Sequence, residues 1–282
     1  RVLHLEDGFL RSVGLGADLI RPVSWVVDQR GIYYDATRPS DLEAMLQAGA
    51  YDEGTLSRAR ALRERIVAGR LTKYNVGHRS WQPPSTTRRI VLVPGQVETD
   101  ASLACGAAGI RLNLDLLRAV RLANPHAHVI YKPHPDVAAR LRAVGTGERS
   151  VSEWCDEVVV DVPMARLLDT VDDVHVMTSL AGFEALLRGK HVFCYGLPFY
   201  AGWGLTSDAV PHPRRTRRLT LDELVAGALI EYPVYFSRTG SVRLTPECAV
   251  DELLAWRAET SGSTPWWRKT FRIMLRKVVG MR

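Results

Sequence analysis

His128-Val129-Ile130-Tyr131-Lys132-Pro133-His134-Pro135-Asp136 is the stretch around which this 282-residue chain is read. Its first four residues make an apolar run of the kind that predicts a buried strand. The strand delivers a Lys and a His into a loop stiffened by two prolines, each fixing φ and removing a backbone donor. In an open α/β sheet, ligands bind just beyond the carboxyl ends of strands. Lys132 and His134 are therefore placed to meet a phosphate, of a nucleotide or of a leaving group. The plainer alternative is a surface turn that happens to hold two basic residues.

The neighbouring segments repeat the pattern. Arg89 to Val93 is a β-branched run that ends in Pro94-Gly95-Gln96-Val97, the glycine-bearing opening of a Rossmann-like unit. Asn113 to Ala123 is an amphipathic helix, and Val158–Asp161 and Val174–Met177 are further short strands. Helix and strand alternating at this spacing predict a parallel sheet with right-handed crossovers. Thr178-Ser179-Leu180-Ala181-Gly182-Phe183-Glu184 follows the Val174 strand and opens a helix to about Arg188. Its hydroxyls and free N–H groups suit phosphate, and Glu184 is placed to accept from ribose hydroxyls; a plain N-cap is the alternative. It is the third strand end on one rim. His191 to Tyr195 is another buried strand. The Gly196–Thr206 loop behind it, rich in aromatics and glycines, offers a sugar or base platform or else closes the core, Phe199 above all. The basic run 214–218 reads as solvated, and Thr220–Ile230 and Pro246–Ala258 as amphipathic helices.

Towards the start, Val2–Leu5 reads as a strand that delivers Glu6-Asp7-Gly8-Phe9-Leu10-Arg11-Ser12, two carboxylates with an Arg four residues on. A helix start with acids in its first turn is the competing reading. Trp25–Asp28 and Ile32–Asp35 are expected to form a hairpin about Gln29-Arg30-Gly31. Ser40 and Glu43 fit a capping box, and a second helix runs from about Thr55 to Ala68, stopping at Gly69. Lys73-Tyr74-Asn75 precedes a stretch of linker composition and either faces a cleft or is a solvated loop. The boundary is placed near residues 82–88, giving units 1–85, 86–235 and 236–282.

Apolar content of 46% and charged content of 24% are ordinary for a globular chain. There is no run of 18 apolar residues, so no spanning helix is expected. The chain opens on Arg1, already inside a strand-like run, and is expected to be a piece lacking residues upstream. Its four cysteines form no C-x-x-C pair, and free thiols are expected. The net charge is +6, and residues 265–282 carry six basic side chains and no acid, leaving 31 basic against 31 acidic residues elsewhere. A neutral body argues against nucleic acid as a partner. In the tail, Trp266, Trp267, Phe271, Met274, Leu275 and Val278 recur at helical spacing among Arg268, Lys269, Arg272, Arg276 and Lys277. That pattern predicts a basic amphipathic helix for an anionic membrane surface, with a packed closing helix as the alternative.

Taken together, these motifs resemble the capsule polysaccharide synthesis family of KpsC/KpsS type. The resemblance rests on Glu6–Ser12, Gly31–Asp35, Lys73-Tyr74-Asn75, Pro94-Gly95-Gln96, Lys132–Asp136, Thr178–Glu184 and the Tyr200–Thr206 loop, and spans residues 2 to 240. It implies a GT-B fold, two Rossmann-like domains facing across a cleft, with the first incomplete at its N-terminus. It implies a retaining β-Kdo transferase that takes Kdo from CMP-Kdo to a lipid-linked acceptor at the cytoplasmic face of the inner membrane, beside other capsule assembly proteins. On that footing Asp7 is the nucleophile and Glu6 the supporting carboxylate, an order that is open to reversal. Lys132, His134, Thr178 and Ser179, with Gly95, Gln96 and Gly182, meet the nucleotide phosphate, and Glu184 holds the ribose. Arg11, Ser12, Lys73, Tyr74 and Asn75 face the sugar, Arg11 and Lys73 being suited to the Kdo carboxylate. No Asp-x-Asp triplet is present, so neither metal nor cofactor is expected. Two other classes compete: a nucleotide-sugar epimerase of GT-B architecture, and a non-catalytic assembly module, which would be expected to lose Glu6 and Asp7.

Overall fold

The computed structural model describes residues 2–16, 20–86, 88–240 and 242–260. The elements that build the larger sheet are β3 (Ile90–Pro94), β4 (His128–Lys132), β5 (Glu157–Val158), β6 (Asp173–Val176), β7 (His191–Cys194) and β8 (Ser207–Asp208). They pair in parallel in the order β5-β4-β3-β6-β7-β8. Numbered from β3, that is the doubly wound order 3-2-1-4-5-6. The central strands read IVLVP, HVIYK and DVHV because helices cover both faces of the sheet and every position after Ile90 and His128, the half-buried first residues of β3 and β4, is buried. Helix α4 (Asn113–Ala123) packs one such face, burying Leu114, Leu116, Leu117 and Val120. The chain reverses direction across the sheet between β3 and β6, and a ligand crevice opens outside that point.

The smaller sheet combines β1 (His4–Asp7) and β2 (Ser24–Asp28) with β9 (Pro233–Phe236) and β10 (Arg243–Leu244), in the order β1-β2-β9-β10. All its pairings are antiparallel. Where a second, parallel Rossmann-like sheet is expected, the described residues thus form an antiparallel one. The expected hairpin is also different. Asp28 accepts from the N–H groups of Arg30 and Gly31 (2.9 Å each), from Asp41 N and from the Tyr232 hydroxyl. These bonds fold the chain over directly after β2, so Ile32–Asp35 form a turn and β2 pairs with β1 and β9 instead.

Ser40 caps α1 (Asp41–Ala48) through Glu43 N, as its sequence predicts, but the Glu43 carboxylate does not return the bond. It reaches Arg214 and Arg215, 2.6 and 3.2 Å away. The 214–218 run, read as solvated, therefore fastens α1: Arg215 also donates to the carbonyls of Pro198 and Ala201. Helix α2 (Glu53–Ala68) packs against α8 (Leu221–Val225), which continues as a π-helical turn, and against α9 (Pro246–Thr260). The linker-like segment is extended but pinned. His78 N and Arg79 N donate to Asp161 O, Trp81 Nε1 to Glu157, and Gly77 (φ +112°) lies against Val162–Pro163, where a Cβ would come within 2.5 Å of Pro163 N. One hydrophobic core continues from under the small sheet to under β6 and β7. At its centre Phe9 stacks on Phe199 (4.5 Å) and touches Tyr33 and Phe183. The membrane-helix expectation for residues 265–282 lies outside the described residues; within them, no helix is long and apolar enough to cross a membrane.

Candidate active site

A cleft of about 560 Å³ opens between the end of β1 and the carboxyl ends of β3, β4 and β6. β1 places Glu6 and Asp7 on one wall; Glu6 accepts from Asp7 N at 2.9 Å. The Asp7 Oδ2 pairs with Arg11 Nε. Lys73 and Tyr74 come from a tight turn closed by Asn75, whose side chain bonds Thr72 N, Thr72 O and Ser12 O. The Tyr74 ring lies 5.3 Å from the Lys73 ammonium, 5.9 Å from the Arg11 guanidinium and 6.4 Å from the His134 ring, and so bridges the two walls. Burial works against the Lys73 charge, but Tyr74, Tyr33, Asp7 and Glu6 outweigh it and raise its pKa.

On the opposite wall, Lys132 donates to Val162 O at 2.8 Å, and burial lowers its pKa to about 8. His134 caps α5 (Pro135–Ala138), its Nδ1 accepting from Asp136 N at 3.2 Å. That bond fixes the proton on Nε2. Burial, then the charge of Lys73, pushes the ring down to about 4, so it stays neutral at pH 7. The β3 and β6 loops are joined across the switch point: Gln96 Nε2 donates to Thr178 Oγ1 (3.0 Å) and Thr178 N to Gln96 Oε1 (2.9 Å). Ser179 caps α7 (Leu180–Leu187), its Oγ accepting from Ala181 N at 3.3 Å, and Ser179, Leu180 and Ala181 bring the start of that helix to the cleft. Glu184, one turn in, accepts from Lys73 N at 2.6 Å, and burial raises its pKa.

Such a surface can receive a phosphate on the α7 side while presenting carboxylates from β1. Residues 1–237 match the family model for capsule polysaccharide biosynthesis proteins. This chain belongs to the capsule polysaccharide biosynthesis family. It is 44% identical to the capsule polysaccharide modification protein LipA of Neisseria meningitidis over 277 residues, 98% of this chain and 39% of LipA. It is 50% identical to the lipopolysaccharide-processing protein LpsZ of Rhizobium meliloti over 237 residues, 82% of this chain and 54% of LpsZ. The chain thus spans about two fifths of LipA. Among solved structures it is similar to the β-Kdo 2,7 transferase of Thermosulfurimonas dismutans KpsC, with a TM-score of 0.77 and 47% identity over 90% of this chain and 77% of that one. It is also similar to the KpsC β-Kdo 2,4 transferase, with a TM-score of 0.80 and 37% identity over 89% of this chain and 79% of that one.

In this capsule biosynthesis chain, Glu6, Asp7, Arg11, Lys73, Tyr74, Gly95, Gln96, Lys132, His134, Thr178, Ser179 and Glu184 all line the cleft. Gly182, Ser12 and Asn75 do not. Gly182 sits under the Tyr200 ring, where a Cβ would lie 2.3 Å from the hydroxyl, and Tyr200 bonds Ser179 O. Ser12 and Asn75 stand behind Arg11 and the Lys73 turn. The expected aromatic platform is core instead, for Tyr200 and Trp203 are fully buried and only the edge at Pro198 and Phe199 reaches the cleft. Sequence reading missed Tyr34, Asp100, Ser102 and Arg142, which also line it. Asp100 caps the short helix after the β3 loop, and a capping pattern at 100–102 is the signal that points to it. Among the described residues, no group of three or more His, Cys, Asp or Glu is placed to hold a metal ion.

Proposed function

We propose that this chain carries the catalytic cleft of a glycosyltransferase that moves Kdo from CMP-Kdo to a lipid-linked saccharide, with retention, in capsule synthesis. The observation that carries the reading is the meeting of Glu6 and Asp7 with Lys132, His134 and the α7 N-terminus in one cleft, in a chain similar to two Kdo transferases. In this reading the molecule is GT-B-like. The parallel sheet holds the nucleotide at its switch point, and the antiparallel sheet belongs to the half that carries the carboxylates.

Asp7 Oδ1 attacks the anomeric carbon as the bond to the phosphate oxygen breaks, and that electron pair leaves with CMP. His134 Nε2–H, the Lys132 ammonium and the first N–H groups of α7 hold the departing phosphate. Glu184 accepts from the ribose, and Lys73, kept charged, pairs with the Kdo carboxylate. Glu6 then takes the proton of the acceptor hydroxyl, which opens the Asp7 ester and restores the original configuration. No metal enters this scheme. An epimerase reading shares the nucleotide contacts but leaves the acceptor without a role.

The test uses the full-length protein with CMP-Kdo and a lipid-linked acceptor. Asp7→Asn should abolish transfer and leave CMP affinity unchanged, and mass spectrometry of the trapped wild-type enzyme should find Kdo on Asp7. Normal turnover by Asp7→Asn, or an adduct on another residue, removes the assignment.

A further inference from the structure

Arg11, Ser12 and Asn75 are the members of the sugar-facing set whose side chains are already committed within the chain, and the first two are tied to Asp7. Ser12 is fully buried and outside the cleft. Its Oγ accepts from Arg11 Nη1 at 2.9 Å and donates to Gly14 O at 2.8 Å. Arg11 spends Nε on Asp7, and Nη2 packs over Gly16, where a Cβ would sit 2.9 Å away. Two of the guanidinium nitrogens are therefore engaged before any ligand arrives. The backbone continues the brace: Ser12 N donates to Lys73 O at 3.1 Å, and Lys73 N donates to Glu184 on α7.

We propose that Arg11 and Ser12 are positioning residues for Asp7. Ser12 holds the guanidinium, the guanidinium holds Oδ2, and Oδ1 is left as the oxygen turned to the donor. The Lys73 turn ties this brace to the helix that faces the nucleotide. A carboxylate that must reach an anomeric carbon in line tolerates little rotation, so loosening the brace slows bond formation and leaves donor binding intact. The kinetic part of this inference rests on the proposed transferase reaction.

The experiment compares full-length wild type, Ser12→Ala, Arg11→Ala and the double variant, reading kcat and KM for CMP-Kdo and calorimetric CMP affinity. Ser12→Ala should lower kcat by roughly 10-fold with KM and CMP affinity unchanged, since the lost interaction acts only on the transition state. Ser12→Thr, which restores a hydroxyl, should recover part of the loss. The double variant should be no slower than Arg11→Ala, because Ser12 acts through Arg11. A raised KM at unchanged kcat, or a double variant whose loss is the product of the two, overturns the inference. Should Ser12→Ala fail to fold, Arg11→Lys replaces it, with the same split expected and a raised KM again decisive against. Should the wild type not transfer Kdo at all, the proposed reaction fails, and the brace is read in a crystal structure of Ser12→Ala. There Arg11 should turn away from Asp7, and an unmoved pair overturns the inference.

Discussion

Lys132 is a cation whose charge is set by two opposing facts. Its ammonium donates to Val162 O, yet burial brings its pKa down to about 8, against an ordinary lysine near 10.5. In the free protein it is therefore mostly charged at pH 7 and mostly neutral at pH 9.5. A phosphate binds the charged form, so CMP affinity should be highest below about pH 8 and fall as pH rises beyond it. Calorimetry at pH 7 and pH 9.5 measures this. Lys132→Arg, which stays charged, should flatten the dependence; an equally steep fall in that variant assigns the titration elsewhere. His134 does not complicate the window, because a ring pushed down to about 4 is neutral throughout it. Lys132, His134, Ser179 and Glu184, which sequence reading placed in the cleft, sit at the end of a strand, at helix caps or one turn into a helix. Hydrophobic periodicity marks those places. Arg142 reaches the cleft along a loop whose course depends on distant packing, and no local pattern announces it; Tyr34 lies within the Gly31–Asp35 motif, which marks the family without marking a place in the cleft.

Among the elements, α1 shows how a local signal can be read correctly and still miss the larger role. Ser40 and Glu43 stand at capping-box spacing, and Ser40 does cap the helix. The Glu43 carboxylate is instead the counter-charge for Arg215, whose side chain is only 3% exposed, and for Arg214. Through Arg215 it also fixes the loop at Pro198 and Ala201 that borders the cleft. Removing one member of a buried pair strands the other, at a cost of about 3–5 kcal/mol. Glu43→Ala should therefore lower the denaturant midpoint by that equivalent, far more than the loss of a surface cap; a change below about 1 kcal/mol, the size of a cap, returns Glu43 to a capping role. The antiparallel partnership of β2 with β9 was illegible for a different reason. Its strands lie at opposite ends of the described chain, and nothing in either strand encodes the other's position.

For the whole molecule, three histidines share one property. Burial pushes His134, His175 and His212 to about 4. Each binds its proton more readily when unfolded, with an ordinary value near 6.5. Their contribution to stability is present in full above pH 6.5 and is lost as pH falls toward 4. Thermal unfolding should show Tm falling across that window. His175→Phe, replacing a ring stacked 4.4 Å from Phe193, should make the fall shallower; an unchanged slope removes His175 from the account. The charge of the chain gives a second whole-molecule expectation. Outside residues 265–282 the 31 basic and 31 acidic residues cancel, so an anionic membrane meets net attraction at the tail alone. Each basic residue near such a surface contributes about 1 kcal/mol. The full protein should sediment with anionic vesicles at low salt, and a chain ending at Ser263 should remain in the supernatant. Equal behaviour of the two rejects membrane attachment through the tail.

The β2–β9 pairing has one more consequence, for the order in which the chain is made. β2 leaves the ribosome about 200 residues before β9, and at 5–20 residues per second its open edge waits roughly 10–40 s for a partner. Until then the described residues offer β2 only β1 as a partner, a two-stranded ribbon whose Val27 stays 44% exposed even in the completed fold. A ribbon of that kind is marginal alone and ready to pair with other chains. The parallel sheet, contiguous from residue 90 to 208, can close first and offer Phe183 and Phe199 as the surface on which Phe9 settles. Of the two sheets, the antiparallel one is thus begun before the parallel sheet and completed after it.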